Sequence, residues 1–480
     1  MKLKPIVTSL IVLGLASPAF AANNHHGKST QKAPVAKKQA LKITKKEPAV
    51  VSSAVMLPPI SDKFQSIIDQ NSASSPVLSC DWIKRIAVGG LINFDASWGN
   101  RTPIGSFADN SGNSGSNSNF RIANANLFID PIINDWVIGH LNLEYTGTSH
   151  DITKASTVFV NSYDRTNRIR ADEAYLTIRN FNRSPLYAKL GWQYIPFGTY
   201  QRYPMVTTLT QTLEQTSGAT ATLGLISDLG PYVQVFAFNG PMIKGNVNDG
   251  TKVTGNSQIA DFGAKIGSIG NLAALRLDGV NYNVDLSYIR NMFDTDTLYA
   301  AFTTSTSGGV IDGLSIKNDL GADRVGGLAA HLGLNYKSVD FVADYAGALG
   351  NMMQNRWLEN WSDTLSTTTE SSRLWAAGLG AGYAFPVLSH ASRLGLSYQW
   401  TGNGQFTNDV ALASGVISNT WDPSIFSMPH NRWLLDYKVN ILKNTDLGFA
   451  LAYDRSYPYR NSSSDIRKST TALMRVSAQF

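Results

Sequence analysis

Sixteen segments of this chain alternate apolar and polar residues, and this pattern constrains the fold more than any other feature. In segment 86–98, Ile86, Val88 and Phe94 alternate with small and polar residues. A period of two places the apolar side chains on one face of a β-strand. The length exceeds that of most soluble strands and matches tilted membrane strands, which need about 9–11 residues. The predicted strands are 86–98, 120–129, 136–145, 169–178, 186–194, 218–226, 231–239, 258–269, 280–290, 326–336, 339–347, 373–385, 391–400, 431–442, 445–454 and 469–480.

The connections between these segments alternate strictly between long and short. The long connections are 99–119, 146–168, 195–217, 240–257, 291–325, 348–372, 401–430 and 455–468. Membrane barrels have short turns at one end and long loops at the other. The sequence therefore predicts an all-β fold, a transmembrane antiparallel β-barrel of about 16 strands. A soluble β-sandwich would also have alternating strands, but it does not require alternating connection lengths.

Aromatic residues support the same interpretation. The last strand alternates up to Phe480, as expected if it pairs with the first strand and removes the open edge of the sheet. Aromatic residues at strand ends are typical of the girdles that lie at the two membrane interfaces. The candidates for these girdles are Trp98, Tyr145, Tyr194, Tyr336, Tyr383, Trp400, Tyr437 and Tyr453.

The first 80 residues have a different composition. Residues 1–21 combine a basic start, a short apolar run and the sequence Ala19-Phe20-Ala21, which predicts a secretory signal peptide. Residues 22–80 are predicted to form a basic, mostly disordered periplasmic tail, and residues 81–480 the outer-membrane β-barrel. Nine of the 41 lysines and arginines, but only one of the 35 acidic residues, lie before residue 51. The high pI of about 9.1 therefore describes the tail and not the barrel.

The predicted location is the outer membrane of a Gram-negative bacterium. An even number of strands would place the tail and the C-terminus together in the periplasm. The single cysteine, Cys80, excludes an intramolecular disulfide.

The sequence contains no pattern that indicates catalysis. It has no nucleophile elbow, no His/Cys cluster with metal-ligand spacing and no phosphate-binding loop. We therefore predict that the protein is not an enzyme and has neither a catalytic centre nor a cofactor or metal site.

Polar residues that oppose the apolar face should line a water-filled lumen. Within segment 195–217, Pro196 and Gly198 force a bend where the fifth strand ends, so this loop either folds into the pore or covers its rim. Acidic residues exceed basic ones among the predicted lumen side chains, which mildly favours cations. The candidates for lining or constricting the pore are Glu144, Glu173, Lys189, Gln193, Tyr200, Arg202, Tyr203, Asp285, Arg393 and Lys438.

Three patches of sequence resemble a known family. They are 172–178 (DEAYLTI), 187–200 (YAKLGWQYIPFGTY) and 89–96 in the first strand. Together they resemble the outer-membrane siderophore porins of the legiobactin-uptake (LbtU) type. The resemblance implies a barrel of about sixteen strands that takes up an iron-loaded siderophore without an energised plug. The chain departs from this family in segment 23–80, which has no apolar heptad repeat for a periplasmic coiled coil.

The predicted function is an outer-membrane channel for the uptake of small solutes, with a plug-less siderophore porin as the first candidate. A general or anion- or sugar-selective porin, and a surface adhesin that acts through its long loops, remain the alternatives. The expected partners are outer-membrane lipid and lipopolysaccharide, a small-molecule substrate that includes a ferric siderophore among the candidates, and the barrel-assembly machinery during biogenesis. Nucleic acid is not expected as a partner after export, and the oligomeric state is left open between a monomer and a homo-oligomer.

Overall fold

The structure is a computed structural model of the 480-residue chain. It describes residues 86–100, 116–146, 168–199, 205–227, 229–239, 261–273, 279–298, 324–351, 373–407, 424–457 and 468–480, together with residues 259 and 277. The predicted signal peptide, the predicted basic tail and Cys80 lie outside these residues.

Sixteen strands in the described part of the chain form a closed antiparallel barrel. Each strand pairs with its neighbours in the chain, and the first strand pairs with the last. Numbered along the chain, the barrel strands are β1 (Ile86–Asn100), β2 (Ser116–Pro131), β3 (Val137–Thr146), β4 (Arg168–Arg179), β5 (Leu186–Tyr194), β6 (Ser217–Ile226), β7 (Pro231–Phe238), β8 (Asp261–Asn271), β9 (Val280–Ile289), β10 (Gly327–Tyr336), β11 (Val339–Ala348), β12 (Trp375–Val387), β13 (His390–Gly402), β16 (Asn431–Leu442), β17 (Thr445–Arg455) and β18 (Lys468–Gln479).

Four further elements of the described residues lie in the long connections. Strands β14 (Gln405–Thr407) and β15 (Ser424–Ser427) form a small separate sheet within the predicted 401–430 connection. Helix α1 (Leu209–Glu214) follows β5, and a 3-10 turn (Met292–Asp294) follows β9. No helix among the described residues is both long and apolar enough to cross a membrane.

The barrel closes between β1 and β18, as the alternation up to Phe480 predicted. Asp95 lies opposite Arg475, and the amide of Gly90 donates to the carbonyl oxygen of Phe480 at 2.8 Å. The Phe480 ring lies against Gly90, where an added Cβ would come within 2.1 Å of it. A glycine at this position therefore lets the terminal aromatic ring cover the closing seam.

The pleat places apolar side chains outside the barrel and polar side chains inside. On β6, Leu223 and Leu225 face outward and are exposed, whereas Thr220 and Thr222 face inward and are buried. The opposite arrangement would be required in a soluble barrel, where water surrounds the wall. The predicted fold class, a transmembrane β-barrel, is thus confirmed, and the sandwich alternative is excluded because the sheet is closed.

Candidate functional site

The described part of the connection between β5 and β6 lies inside the barrel. Its described residues, 195–199 and 205–216, are called the inner loop here. They contact inward-facing side chains on β8, β9, β13 and β16, which lie on different sides of the wall. Of the two arrangements that the sequence left open, the inner loop therefore folds into the lumen.

A buried lysine anchors the first part of the inner loop. Lys265 of β8 is only 1% exposed, and its Nζ donates to the carbonyl oxygen of Gly198 at 2.6 Å and to Thr199 Oγ1 at 2.7 Å. The same Nζ lies 3.3 Å from Asp285 Oδ1, and Thr199 Oγ1 donates to Asp285 Oδ2 at 2.7 Å. Gly198 completes the anchor, since its amide donates to Ser287 Oγ at 2.8 Å. The buried Lys265–Asp285 ion pair thus ties the inner loop to β8 and β9.

Apolar packing fills the lumen around this anchor. Ile195 and Phe197 are fully buried and belong to one cluster with Phe236, Phe238 and Ile289 of the wall. At the short-turn end, Tyr187, Ile226, Tyr232 and Ile269 form a second buried cluster. We call the wall of β5–β10 the filled side, because large inward-facing apolar side chains of this wall pack against the inner loop.

The second part of the inner loop is anchored to the opposite side of the barrel. The amide of Leu209 donates to Gln399 Oε1 of β13 at 2.8 Å. Arg432 of β16 pairs with Asp454 of β17 at 2.6 Å and donates through NH1 to the carbonyl oxygen of Thr207 at 3.0 Å. These contacts hold the inner loop across the lumen.

Helix α1 begins at the second anchor and packs against β11, β12 and β13. Thr208 caps its N-terminus, because Thr208 Oγ1 accepts from the amide of Gln211 at 3.1 Å. Glu214, its last residue, is buried. Burial raises the pKa of the Glu214 carboxyl well above its ordinary value, and the carboxylates of Asp344 and Asp285 raise it further.

Below helix α1, an open cleft separates the inner loop from the wall. The cleft has a cavity volume of about 40 Å³ and lies between Thr208 and Thr210 of the loop and the wall of β11, β12, β13 and β16. We call this wall the open side. The inward positions of β12 bear almost no side-chain volume: they are Ala376, Gly378, Gly380, Gly382 and Ala384.

Arg393 lies across this glycine-lined wall. Its Nε and NH2 donate to the two carboxylate oxygens of Asp340 at 3.0 and 2.6 Å, and its NH1 donates to Asp436 at 3.1 Å. A Cβ at Gly382 would come within 2.3 Å of Arg393 NH2, so glycine is needed for the guanidinium to lie flat on the backbone of β12. The guanidinium is thus held in one position at the edge of the cleft.

The predicted pore residues do not form one cluster. Glu144 and Glu173 lie on β3 and β4; Glu144 accepts from Arg170 Nε at 3.0 Å, and Glu173 Oε2 lies 3.9 Å from His140 Nε2. Lys189 of β5 is buried, with its Nζ 3.7 Å from the centre of the Tyr175 ring.

The other candidates lie elsewhere around the wall. Gln193 of β5 donates to Thr222 Oγ1 at 3.4 Å, and Asp285 belongs to the lysine anchor. Arg393 and Lys438 are opposite each other on β13 and β16, and Lys438 pairs with Asp446 at 2.5 Å. Among the described candidates, Arg393 is the one that lines the cleft. Tyr200, Arg202 and Tyr203 lie outside the described residues.

The sequence reasoning missed several residues that build the site. Arg432 falls on the inward face of its strand, and its alternation with Leu434 and Asp436 could have identified it. Gln399 was detectable in the same way on β13. Thr208 and Thr210 give no comparable signal, because their positions depend on how the inner loop crosses the lumen. In the described part of the chain, no group of three or more His, Cys, Asp or Glu side chains is arranged to hold a metal ion.

The comparison with protein-family models finds no match. Among curated proteins, a UPF0422 protein of Coxiella burnetii is 25% identical over 349 residues, which cover 72% of this chain and 61% of the relative. The chain therefore spans less than two thirds of the length of this relative. The name of the relative does not test the resemblance to siderophore porins, which stays a prediction.

A solved structure shows a similar fold, and a second is reported beside it. OprB of Pseudomonas putida aligns with a TM-score of 0.50 and 11% identity, covering 85% of this chain and 99% of OprB. The outer membrane channel DcaP of Acinetobacter baumannii aligns with a TM-score of 0.48 and 14% identity, covering 82% of this chain and 97% of DcaP. The similarity to OprB agrees with the closed membrane barrel described above.

Proposed function

We propose that this protein is an outer-membrane channel through which small hydrophilic solutes enter by diffusion. The observation that carries the proposal is the inner loop, which crosses the lumen between two anchors and leaves an open cleft beside it. A wide barrel narrowed by a fixed internal loop restricts the size of a solute while it still admits water.

The polar character of the lumen also supports a channel. Inward-facing ionisable side chains are arranged as pairs on the wall, for example Arg475 with Asp95 at 2.6 Å and His331 with Asp344 at 2.6 Å. A protein that acts only through its outer loops would need no such charged interior. We therefore favour transport over the adhesin alternative.

An iron chelate is the more specific solute that we propose. Its support is the resemblance of segments 172–178 and 187–200 to siderophore porins of the legiobactin-uptake type. Segment 195–199, the end of the second patch, belongs to the inner loop, so the resembling residues include part of the pore-narrowing element.

Planar-bilayer recording of the purified, detergent-solubilised protein tests the channel. We expect stepwise conductance increases as single barrels insert, and protein that has been heat-denatured gives none. A correctly folded protein that inserts without conducting would contradict the proposal. Folding is checked separately, by the different electrophoretic mobilities of heated and unheated samples.

Uptake experiments test the iron chelate. Deletion of the gene should abolish growth that depends on iron-loaded siderophore, while growth on free iron salts remains. Equal loss of uptake for unrelated small solutes would indicate a general porin instead.

A further inference from the structure

We propose that the lipid-facing wall at the closing seam of the barrel binds one lipopolysaccharide molecule. An acyl chain lies in an apolar groove of this wall, and a phosphate group contacts two cations nearer the long-loop end of the same strands. The site is on the outside of the barrel, so it is independent of the lumen and of the proposed channel function.

The groove has a cavity volume of about 460 Å³ and lies on the outward face around β1 and β18. It exists because two alanines lie among large side chains. In the ladder, Ala96 of β1 is opposite Phe120 of β2, and Ala472 of β18 lies between Trp98 and Leu451. The Phe120 and Trp98 side chains are 75% and 61% exposed. The alanines therefore form a depression beside two projecting aromatic rings.

The lining of the groove defines what can occupy it. Its outward-facing side chains lie in the hydrocarbon of the membrane, where no water is present to fill a depression. An empty groove would lose the dispersion contacts of its lining, so the occupant is an apolar chain or a second protein. A second barrel presents a rigid, convex wall that would rest on the rings of Phe120 and Trp98. A flexible acyl chain can instead follow the floor between them.

The position of the groove along the strands selects the leaflet. Ala472 is the fifth residue of β18, and Trp98 is the third residue from the end of β1, so both lie near the long connections. The long loops of outer-membrane barrels are extracellular. The groove therefore faces the outer leaflet, which in Gram-negative bacteria consists of lipopolysaccharide.

Two cations lie on the same outward face at the height of the lipid headgroups. Lys468 at the start of β18 is opposite Arg455 at the end of β17, and both are exposed. Lys468 precedes Ala472 by four residues, which corresponds to about 13 Å along a strand. Tyr453, one of the predicted girdle residues, lies in the row between the cations and the groove. Half of the hydrocarbon core is about 15 Å thick, so a chain in the groove brings its headgroup to these cations.

The combination of groove and cations fits an anionic lipid. The phosphate groups of lipid A, the membrane-embedded part of lipopolysaccharide, form charge-assisted hydrogen bonds with lysine and arginine. The acyl chains of the same molecule supply the apolar segment that the groove requires. A zwitterionic phospholipid would match the groove but would make weaker use of the two positive charges.

Native mass spectrometry of the purified, lipid-stripped protein in detergent tests the groove, with purified lipid A as the probe. We expect the wild type to bind one molecule. Ala472→Trp should fill the groove and lower the affinity roughly ten-fold or more. Ala221→Trp is the matched control, because Ala221 is the fifth residue of β6, is exposed on the lipid face and lies outside the groove. Its affinity should equal that of the wild type.

Removal of the cations tests the headgroup contact. The double variant Arg455→Gln and Lys468→Gln should bind lipid A about ten-fold more weakly. Its affinity for lipid A from which the phosphates have been removed should equal that of the wild type. Arg373→Gln removes an exposed cation just before β12, away from the groove, and should leave both affinities unchanged.

Each outcome supports or overturns the site. Folding of every variant is checked by the mobilities of heated and unheated samples, and Ala96→Leu replaces Ala472→Trp if the latter does not fold. Equal binding of lipid A by Ala472→Trp and Ala221→Trp would show that the groove is not the site. If phosphatidylethanolamine binds as tightly as lipid A, or the glutamine variant loses no affinity, the assignment to lipopolysaccharide is wrong. If Ala472→Trp converts an oligomer to a monomer without changing lipid binding, the groove is an interface between copies and the proposal fails.

Discussion

The filled side and the open side of the lumen belong to one continuous sheet, but their inward-facing side chains differ in size. The filled side points Phe236, Phe238 and Ile289 inward, and the inner loop packs on them. The open side points Gly378, Gly380 and Gly382 inward, and a cleft remains. The comparison indicates that large apolar side chains hold the inner loop on the filled side, whereas hydrogen bonds from Gln399 and Arg432 hold it on the open side.

The ion pairs of the two sides differ in how far they are buried. The Lys265–Asp285 pair of the filled side is almost completely buried, and Lys265 also donates to the carbonyl oxygen of Gly198 in the inner loop. The Arg393–Asp340 pair of the open side is 16% and 17% exposed and borders the cleft. We therefore expect substitutions on the filled side to change stability, and substitutions on the open side to change permeation.

Removal of the lysine anchor should have the largest effect. Lys265→Ala leaves Asp285 buried without its cation and removes two hydrogen bonds to the inner loop. We expect the free energy of unfolding to fall by about 3–5 kcal/mol, measured by denaturant titration of tryptophan fluorescence in detergent. Because the loop would lose its first anchor, single-channel conductance should also increase.

Lys438→Ala is the matched control for this substitution. Lys438 also pairs with an aspartate on the inner wall, but its side chain is 33% exposed. Its loss should cost about 0–1 kcal/mol. Equal losses for the two lysines would show that the inner loop does not depend on the buried pair.

Truncation of one apolar side chain on each side should lower the free energy of unfolding by different amounts, although the difference is smaller than for the two lysines. Ile289→Ala removes a fully buried side chain of the filled side and should cost about 2–5 kcal/mol. Val342→Ala removes a partly exposed side chain beside the cleft and should cost about 1 kcal/mol. The same unfolding titration measures both, and a reversed order would contradict the assignment of the two sides.

Much of the barrel could be predicted from the sequence. A period of two is a local property, so the sixteen strands and their inward and outward faces follow from residues such as Leu223 and Thr222. Glycines within a strand, such as those of 378–382, let a sheet curve. The structure adds that they form the inward wall of the cleft, where Gly382 lies under Arg393.

The candidate site was less accessible to sequence reasoning. Pro196 and Gly198 predict a bend, but they do not determine which wall the loop contacts afterwards. The partners of the inner loop, Lys265 and Arg432, are distant from it in the sequence, and their contacts depend on closure of the whole barrel. Lumen residues could therefore be predicted as a class, whereas their division into a filled and an open side could not.

The pH dependence of stability should show the contribution of Glu214, the last residue of helix α1. Because the pKa of Glu214 is raised in the folded protein, its ionisation opposes folding. The neutral Glu214 carboxyl therefore favours the folded state. Its contribution to the free energy of unfolding is fully present below the ordinary carboxyl pKa and is lost as the pH rises through the raised pKa of the folded protein. We expect denaturant titrations to show a greater loss of stability from pH 5 to pH 8 in the wild type than in Glu214→Gln. The same pH dependence in both proteins would exclude Glu214 as its source.

Alanine substitutions of Gly380 and Gly382, which lie on the same face of β12, should give the smallest and most local effects. At Gly380 a Cβ meets its nearest neighbour, Ser397, at 3.4 Å, so Gly380→Ala should leave the ratio of cation to anion permeability unchanged. At Gly382 the same Cβ would lie 2.3 Å from Arg393 NH2 and 2.5 Å from Asp340 Oδ1, so Gly382→Ala must displace this pair. Reversal potentials in a salt gradient should therefore shift for Gly382→Ala alone. Equal shifts for both variants would mean that the position of Arg393 does not control selectivity, since only one of the two alanines displaces the guanidinium.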